Sequence, residues 1–213
     1  MAEGFFIVVE GIDGSGKGTA IKGMREWLAS KGLGRNSVFS TREPSDSAHG
    51  KKAREILRSG DNPKERAEEL LLLYLKDRAG HLEKEIIPAL RNGKIVICDR
   101  YKYSTVAYQA AQGIDIKGLV EKNRGFRKPD LAIILDITAK DAIRRIEGDS
   151  GRDAKEMFEK KEFLEKARAN FLKMPGLFAD ENIIIINASG NREKVLGKIK
   201  SELESSLMLD SFK

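Results

Sequence analysis

The chain has 213 residues, 40% hydrophobic and 34% charged, with 39 Lys+Arg against 33 Asp+Glu and a formal net charge of +6. Those proportions suit one ordinary α/β globule with a full core; no apolar run approaches the ~20 residues that a membrane-spanning helix needs. One cysteine and two histidines exclude an intramolecular disulfide, a thiolate metal cluster and a His-based triad, and Cys98 reads as a small buried hydrophobe. The positive charge fits either nucleic acid or a cleft for several phosphates. No dense Lys/Arg tract with interleaved aromatics is present, so the phosphate cleft is favoured and no nucleic acid is expected. No signal sequence is read ahead of the first strand, which makes the cytosol the expected compartment and no membrane partner is expected.

Apolar runs predict strands at 5–10, 37–41, 94–98, 131–136 and 182–187. Helical patterns lie between them at 17–31, 47–59, 63–91, 103–124 with a break near Gly113, 139–147, 155–174 and 191–206. Pro63 is a good helix start and Gly93 a good stop. The runs Leu131-Ala132-Ile133-Ile134-Leu135 and Ile183-Ile184-Ile185-Ile186 are continuous rather than alternating, as strands covered on both faces should be. This alternation predicts a five-stranded parallel sheet wrapped by helices, with ligands beyond the carboxyl ends of the strands. Residues 147–153 are polar and glycine-containing, the best candidate for a mobile loop.

The residues just past each strand carry the chemistry. After the first comes Gly11-Ile12-Asp13-Gly14-Ser15-Gly16-Lys17-Gly18-Thr19. Its glycines let backbone N–H groups converge on phosphate oxygens, the next helix aims its positive end at them, and Lys17 would reach the terminal phosphates. The slot that usually holds a magnesium-binding Ser or Thr holds Gly18, with Thr19 one place later. That variant resembles the adenylate kinases. After the second strand stands Thr41-Arg42-Glu43-Pro44, and after the third Asp99-Arg100-Tyr101. Asp99 is placed to order water around magnesium, and Arg100 to grip a phosphoryl oxygen with a two-pronged donor.

Taken in order, these pieces resemble the thymidylate kinases along nearly the whole chain. Further segments carry the likeness: Tyr74 to Asp77-Arg78 and His81; Ser104 with Ala107-Tyr108-Gln109; Lys128-Pro129-Asp130-Leu131; Phe158-Glu159 before Phe163-Leu164-Glu165-Lys166-Ala167-Arg168; and Asn187-Ala188-Ser189. The resemblance implies a P-loop kinase domain over residues 1–213 with a short mobile lid at about 147–157. It implies phosphoryl transfer from ATP to dTMP, magnesium as cofactor and a homodimer. By the same likeness Tyr74 would stack on thymine, Arg78 would donate to its carbonyl, and Tyr108 would pack under the sugar and exclude a ribose 2′-OH. Ser104 and Gln109 would lie near the base edge and Asp13 near the 3′-hydroxyl. Arg42, Pro44 and Arg100 would face the acceptor, and Arg145 would stack on adenine. Lys17, Asp99, Arg100 and a lid arginine, Arg152, would serve the transfer. The chain departs from relatives at Ser45, at Leu75-Lys76 and at Met157. Another nucleoside monophosphate kinase (for AMP, UMP or dUMP) is the nearest alternative, and a non-catalytic P-loop switch a more distant one.

Overall fold

The computed structural model describes residues 4–34, 36–59, 65–147 and 161–207. Strand β1 (Phe5–Glu10) lies at the centre of a parallel sheet, ordered β2-β3-β1-β4-β5. Its neighbours are β3 (Ile95–Asp99), in the register Phe5↔Ile95, and β4 (Leu131–Asp136), in the register Ile7↔Leu131. The edges are β2 (Val38–Arg42) and β5 (Ile183–Asn187).

The continuous apolar runs of the central strands have the physical cause expected of them, because each of these strands is covered twice; Ile183-Ile184-Ile185-Ile186 departs from the expectation, since β5 is an edge strand and Ile185 is 41% exposed. Phe6, Val8, Val96, Cys98, Ala132 and Ile134 face one helical layer. That layer contains α2 (Ala48–Arg58), α3 (Ala67–His81), α4 (Ile87–Arg91), α5 (Lys102–Ala111), α6 (Ile116–Arg124), α7 (Ala139–Glu147), α8 (Lys161–Leu172) and α9 (Met174–Leu177). Ile7, Val9, Ile95, Ile97, Leu131 and Ile133 face the other, made by α1 (Lys17–Ser30) and α10 (Arg192–Ser206). No described helix is long and apolar enough to cross a membrane.

The expected helix boundaries shift where local chemistry intervenes. The span 63–91 is α3, a π-helical turn over Leu82–Ile86, and then α4; Pro63 lies outside the described residues. The span 103–124 divides into α5 and α6 on either side of Gly113, whose φ is 108°. Of 155–174, residues 155–160 lie outside the described residues, and α8 stops before α9 restarts at Met174. Helices α2, α6 and α10 begin with side-chain caps from Ser47, Asp115 and Asn191. Helix α1 has Gly16 as its N-cap and no side-chain cap, so its first N–H groups stay open at the sheet's carboxyl edge.

A buried ion pair seats the start of α5. Lys102 Nζ lies 2.7 Å from Glu181 Oε1, both side chains almost wholly shielded, and Tyr103 donates its hydroxyl to the same carboxylate. Burial lowers the Lys102 pKa from its usual value and the Glu181 hydrogen bond works against that shift. Removing one member of such a pair strands the other charge. Glu181→Leu should therefore cost about 3–5 kcal/mol in urea denaturation, and adding Lys102→Met should recover most of that loss.

Candidate active site

The carboxyl edge of the sheet opens into a cleft of about 820 Å³. Its floor is the loop between β1 and α1. Gly14 has φ +79°, and a Cβ there would sit 2.4 Å from the Ala142 carbonyl oxygen, so only glycine lets the loop lie against α7. Lys17 is 8% exposed, and its ammonium donates to the Gly11 oxygen at 3.1 Å and the Ile12 oxygen at 3.0 Å. Three donors on an ammonium leave one for a phosphate oxygen. Burial, helped by the nearby Arg100 cation, lowers its pKa to about 8, while Asp13, Asp99 and Glu10 pull the other way.

Arg100 joins two loops across the cleft. It donates to Asp13 Oδ1 through Nη2 and to Ser104 Oγ at 3.0 Å through Nη1, and its guanidinium lies 5.1 Å above the Tyr108 ring. Tyr108 donates its hydroxyl to Asp13 Oδ2 at 3.2 Å. Burial would raise the Asp13 carboxyl, but Arg100 and Lys17 outweigh it and hold the group below the usual carboxylate range. Burial alone would also depress Arg100, yet Asp13 and its other anionic neighbours carry it well above its ordinary value. Phe163 and Phe171 of α8 pack against Tyr108 with ring centroids 5.9 Å away.

Asp99, at the end of β3, lines the cleft, and its Oδ1 is buried with no protein partner. Ser15 Oγ is a second buried atom of that kind. Gly18 and Thr19 are exposed at the cleft wall, and a Cβ at position 18 would meet nothing within 4 Å. Arg145 reaches over from α7, donating to the Ala188 oxygen at 2.8 Å and the Ser15 oxygen at 3.4 Å. Its neighbour Arg144 turns away to an exposed pair with Asp141.

The far wall holds Arg42, Pro44, Tyr74, Arg78, Ser104 and Tyr108. Arg42 is exposed and 3.5 Å from Asp46. Arg78 is 2% exposed and mostly engaged by protein: Glu43 at 2.9 Å, Asn123 at 2.7 Å and Thr105 at 2.8 Å, between the rings of Tyr101 and Phe126. Only an edge of its guanidinium is left to the cleft. Gln109, expected near the base edge, is not part of the wall: it is fully buried and donates to the Ala67 oxygen at 2.5 Å. Its place on α5, one position past Tyr108, turns it toward the start of α3. Arg152, Met157 and the expected lid lie outside the described residues.

Sequence reasoning passed over Arg54 and Thr105, both of which line the cleft. Arg54 donates to the oxygens of Pro44 at 2.6 Å and Ser45 at 2.9 Å, and pairs with Asp46. Asp77 accepts from the Ser45 N–H at 2.7 Å and from the hydroxyls of Ser45 at 2.5 Å and Ser47 at 2.6 Å. Ser45 is thus an anchor of the loop between β2 and α2. Arg54 sits within the basic run Lys51-Lys52-Ala53-Arg54, where nothing local marks which cation turns inward.

An open helix terminus, a glycine loop with a buried lysine, and an unpartnered Asp99 oxygen together define a P-loop nucleotide-binding protein. Residues 9–199 match the thymidylate kinase family. A probable thymidylate kinase of Pyrococcus horikoshii is 42% identical over 96% of this chain and 98% of its own length; that of Thermococcus gammatolerans is 39% identical over 96% and 100%. A thymidylate kinase of Desulfotalea psychrophila is 42% identical over 79% of this chain and 80% of its own. The chain belongs to the thymidylate kinase family.

The lowered Lys17 pKa has a measurable consequence. Below about 8 the free protein carries the ammonium that a triphosphate needs, and above it the group is neutral. ATP affinity by calorimetry should be nearly flat below that point and fall by up to about tenfold per pH unit beyond it. Lys17→Met should bind weakly and lose this alkaline limb.

Proposed function

We propose that this protein transfers the γ-phosphoryl group of ATP to dTMP, forming ADP and dTDP. The observation that supports it best is the continuity of one cleft from the Lys17 loop to the wall that holds Tyr74, Arg78 and Tyr108. Two nucleotides can meet there with their phosphates facing each other. A dTMP phosphate oxygen attacks the γ-phosphorus, and the bond to the β–γ bridging oxygen breaks with its electron pair leaving on ADP. The attacking group is already an anion, so no side chain must remove a proton. The obstacle is repulsion between two polyanions, and fixed positive groups reduce it. Lys17 and the α1 terminus serve the donor, Arg42 and Arg54 flank the acceptor, and Arg100 lies between.

Magnesium fits this wall, because Asp99 Oδ1 is a buried acceptor that no protein group satisfies. Asp99 would hold the ion through water, and Thr19 is the hydroxyl nearest in sequence to the vacant slot at Gly18. When bound, the ion neutralises charge on the β- and γ-phosphates. Tyr108, pinned through its hydroxyl to Asp13, is read as the rigid surface beneath a deoxyribose. The same reading gives Arg145 the adenine. A homodimer fits α3, where Leu72 of the run Leu70-Leu71-Leu72-Leu73 is 58% exposed. A cytosolic setting suits Cys98, a buried free thiol.

The deciding assay presents dTMP, dUMP, AMP, CMP and GMP separately with ATP and magnesium. ADP should form at the highest kcat/KM with dTMP. Protein that binds ATP and passes phosphate to none of them overturns the reading. For the lid, Arg152→Ala should lower kcat by ~10²–10³ with dTMP affinity nearly kept; unimpaired turnover would remove Arg152 from the transfer step.

A further inference from the structure

Glu10 is the last residue of β1 and is fully buried, yet phosphoryl transfer as derived above gives it no task. Its Oε1 accepts from the backbone N–H of Tyr101 at 2.8 Å and of Ser104 at 3.1 Å, and its Oε2 accepts from the Ser104 hydroxyl at 2.5 Å. The first two donors lie at the start of α5, where the Ser104 N–H is shared with the Tyr101 oxygen at 3.1 Å, so the carboxylate of one strand caps the helix that follows another. Ser104 Oγ accepts in turn from Arg100 Nη1 at 3.0 Å. A directed chain results, from Arg100 through Ser104 to Glu10.

The backbone makes the same demand. Arg100 has φ 68°, a left-handed conformation that costs a non-glycine residue of order 1–3 kcal/mol and persists only where its surroundings hold it. The hold is visible on both sides: the Arg100 N–H donates to the Val9 oxygen at 3.0 Å, and the next N–H is the one bound to Glu10.

We infer that Glu10 is a positioning residue for Arg100, clamping the peptide beyond it and turning the Ser104 hydroxyl so that an oxygen lone pair faces the guanidinium. An ionised carboxylate only accepts hydrogen bonds, so Ser104 must spend its proton on Glu10 and present its lone pairs to Arg100. A glutamine there keeps the shape but offers N–H toward Ser104, and the direction of the chain is no longer imposed. Asp13 fixes Nη2 of Arg100, while Nη1 is held by Ser104 at 3.0 Å and by the Gly11 oxygen at 3.4 Å, so losing the Ser104 acceptor leaves Nη1 on the longer contact alone and loosens the guanidinium about Asp13.

This inference rests on the reading that Arg100 lies between the two substrates, and its test separates the two. Burial pushes the Glu10 carboxyl up to about 7, so turnover is measured at pH 8, with ATP and dTMP saturating. Glu10→Gln should lower kcat by about tenfold or more, with ATP affinity by calorimetry within about twofold of the parent. Ser104→Ala should lower kcat similarly, and the double variant should be no slower than the slower single one, because both changes cut one chain. A Glu10→Gln enzyme with kcat within twofold of the parent, or two effects that simply multiply, overturns the assignment. If Glu10→Gln does not fold, Ser104→Ala decides alone: parental kcat overturns it. A parent enzyme that moves no phosphate to dTMP defeats the kinase reading instead, whatever the variants do.

Discussion

The ion pair between Asp13 and Arg100 is the contact on which the cleft depends. A site for two polyanions must concentrate cations, and cations brought together out of water repel one another. Arg100 and Lys17 do so here, since the guanidinium helps to depress the lysine. Carboxylates at the sheet edge make that density tolerable: Asp13 binds Arg100 directly, and Glu10 and Asp99 act on both cations from below. Charges fixed in this way need little rearrangement when a transition state forms, which is the physical content of electrostatic preorganisation.

The sheet supplies these groups because parallel strands all end on one side. β1 delivers Glu10 and the glycine loop, β2 delivers Arg42, and β3 delivers Asp99 and Arg100. β4 contributes differently. Its Asp136 receives Arg168 of α8 at 2.6 and 2.9 Å, fastening that helix beside the cleft. Phe163 and Phe171 of the same helix then back the Tyr108 ring. The pairing of Asp136 with Arg168 thus bears on the Asp13–Arg100 contact through a short aromatic path.

Much of this was legible in the sequence because its signals are local. Five strands were read from short apolar runs to within a residue at each end, and the phosphate loop from glycine spacing and a strand-to-helix context. The Asp99-Arg100 pair was legible from its position after an apolar strand. Hidden features depend on partners far along the chain. Arg78 looked like a base-reading charge, but Glu43, Thr105 and Asn123, from three other segments, enclose most of it. Glu10 looked like a strand end, because its partners lie beyond residue 100. The family resemblance puts Gln109 near the base edge, but it lies one position past Tyr108. One step along α5 is about 100° of rotation, enough to turn it inward.

The π-helical turn at Leu82–Ile86 sets a phase. Before it, α3 shows Tyr74 and Arg78 to the cleft; after it, Ala89 and Leu90 are buried in the core on that face of the sheet, and the Leu90 carbonyl receives the N–H of Gly4. The widened turn absorbs a surplus residue, so both halves keep their proper faces although they share one axis. Winding the same residues into unbroken α-helix, with none removed, would rotate one half against the other by about 100° and push them about 1.5 Å further apart. Either the cleft-facing side or the sheet-facing side would then be misdirected. An apparent irregularity is therefore the gearing that lets a single rod serve a binding surface and a core at once.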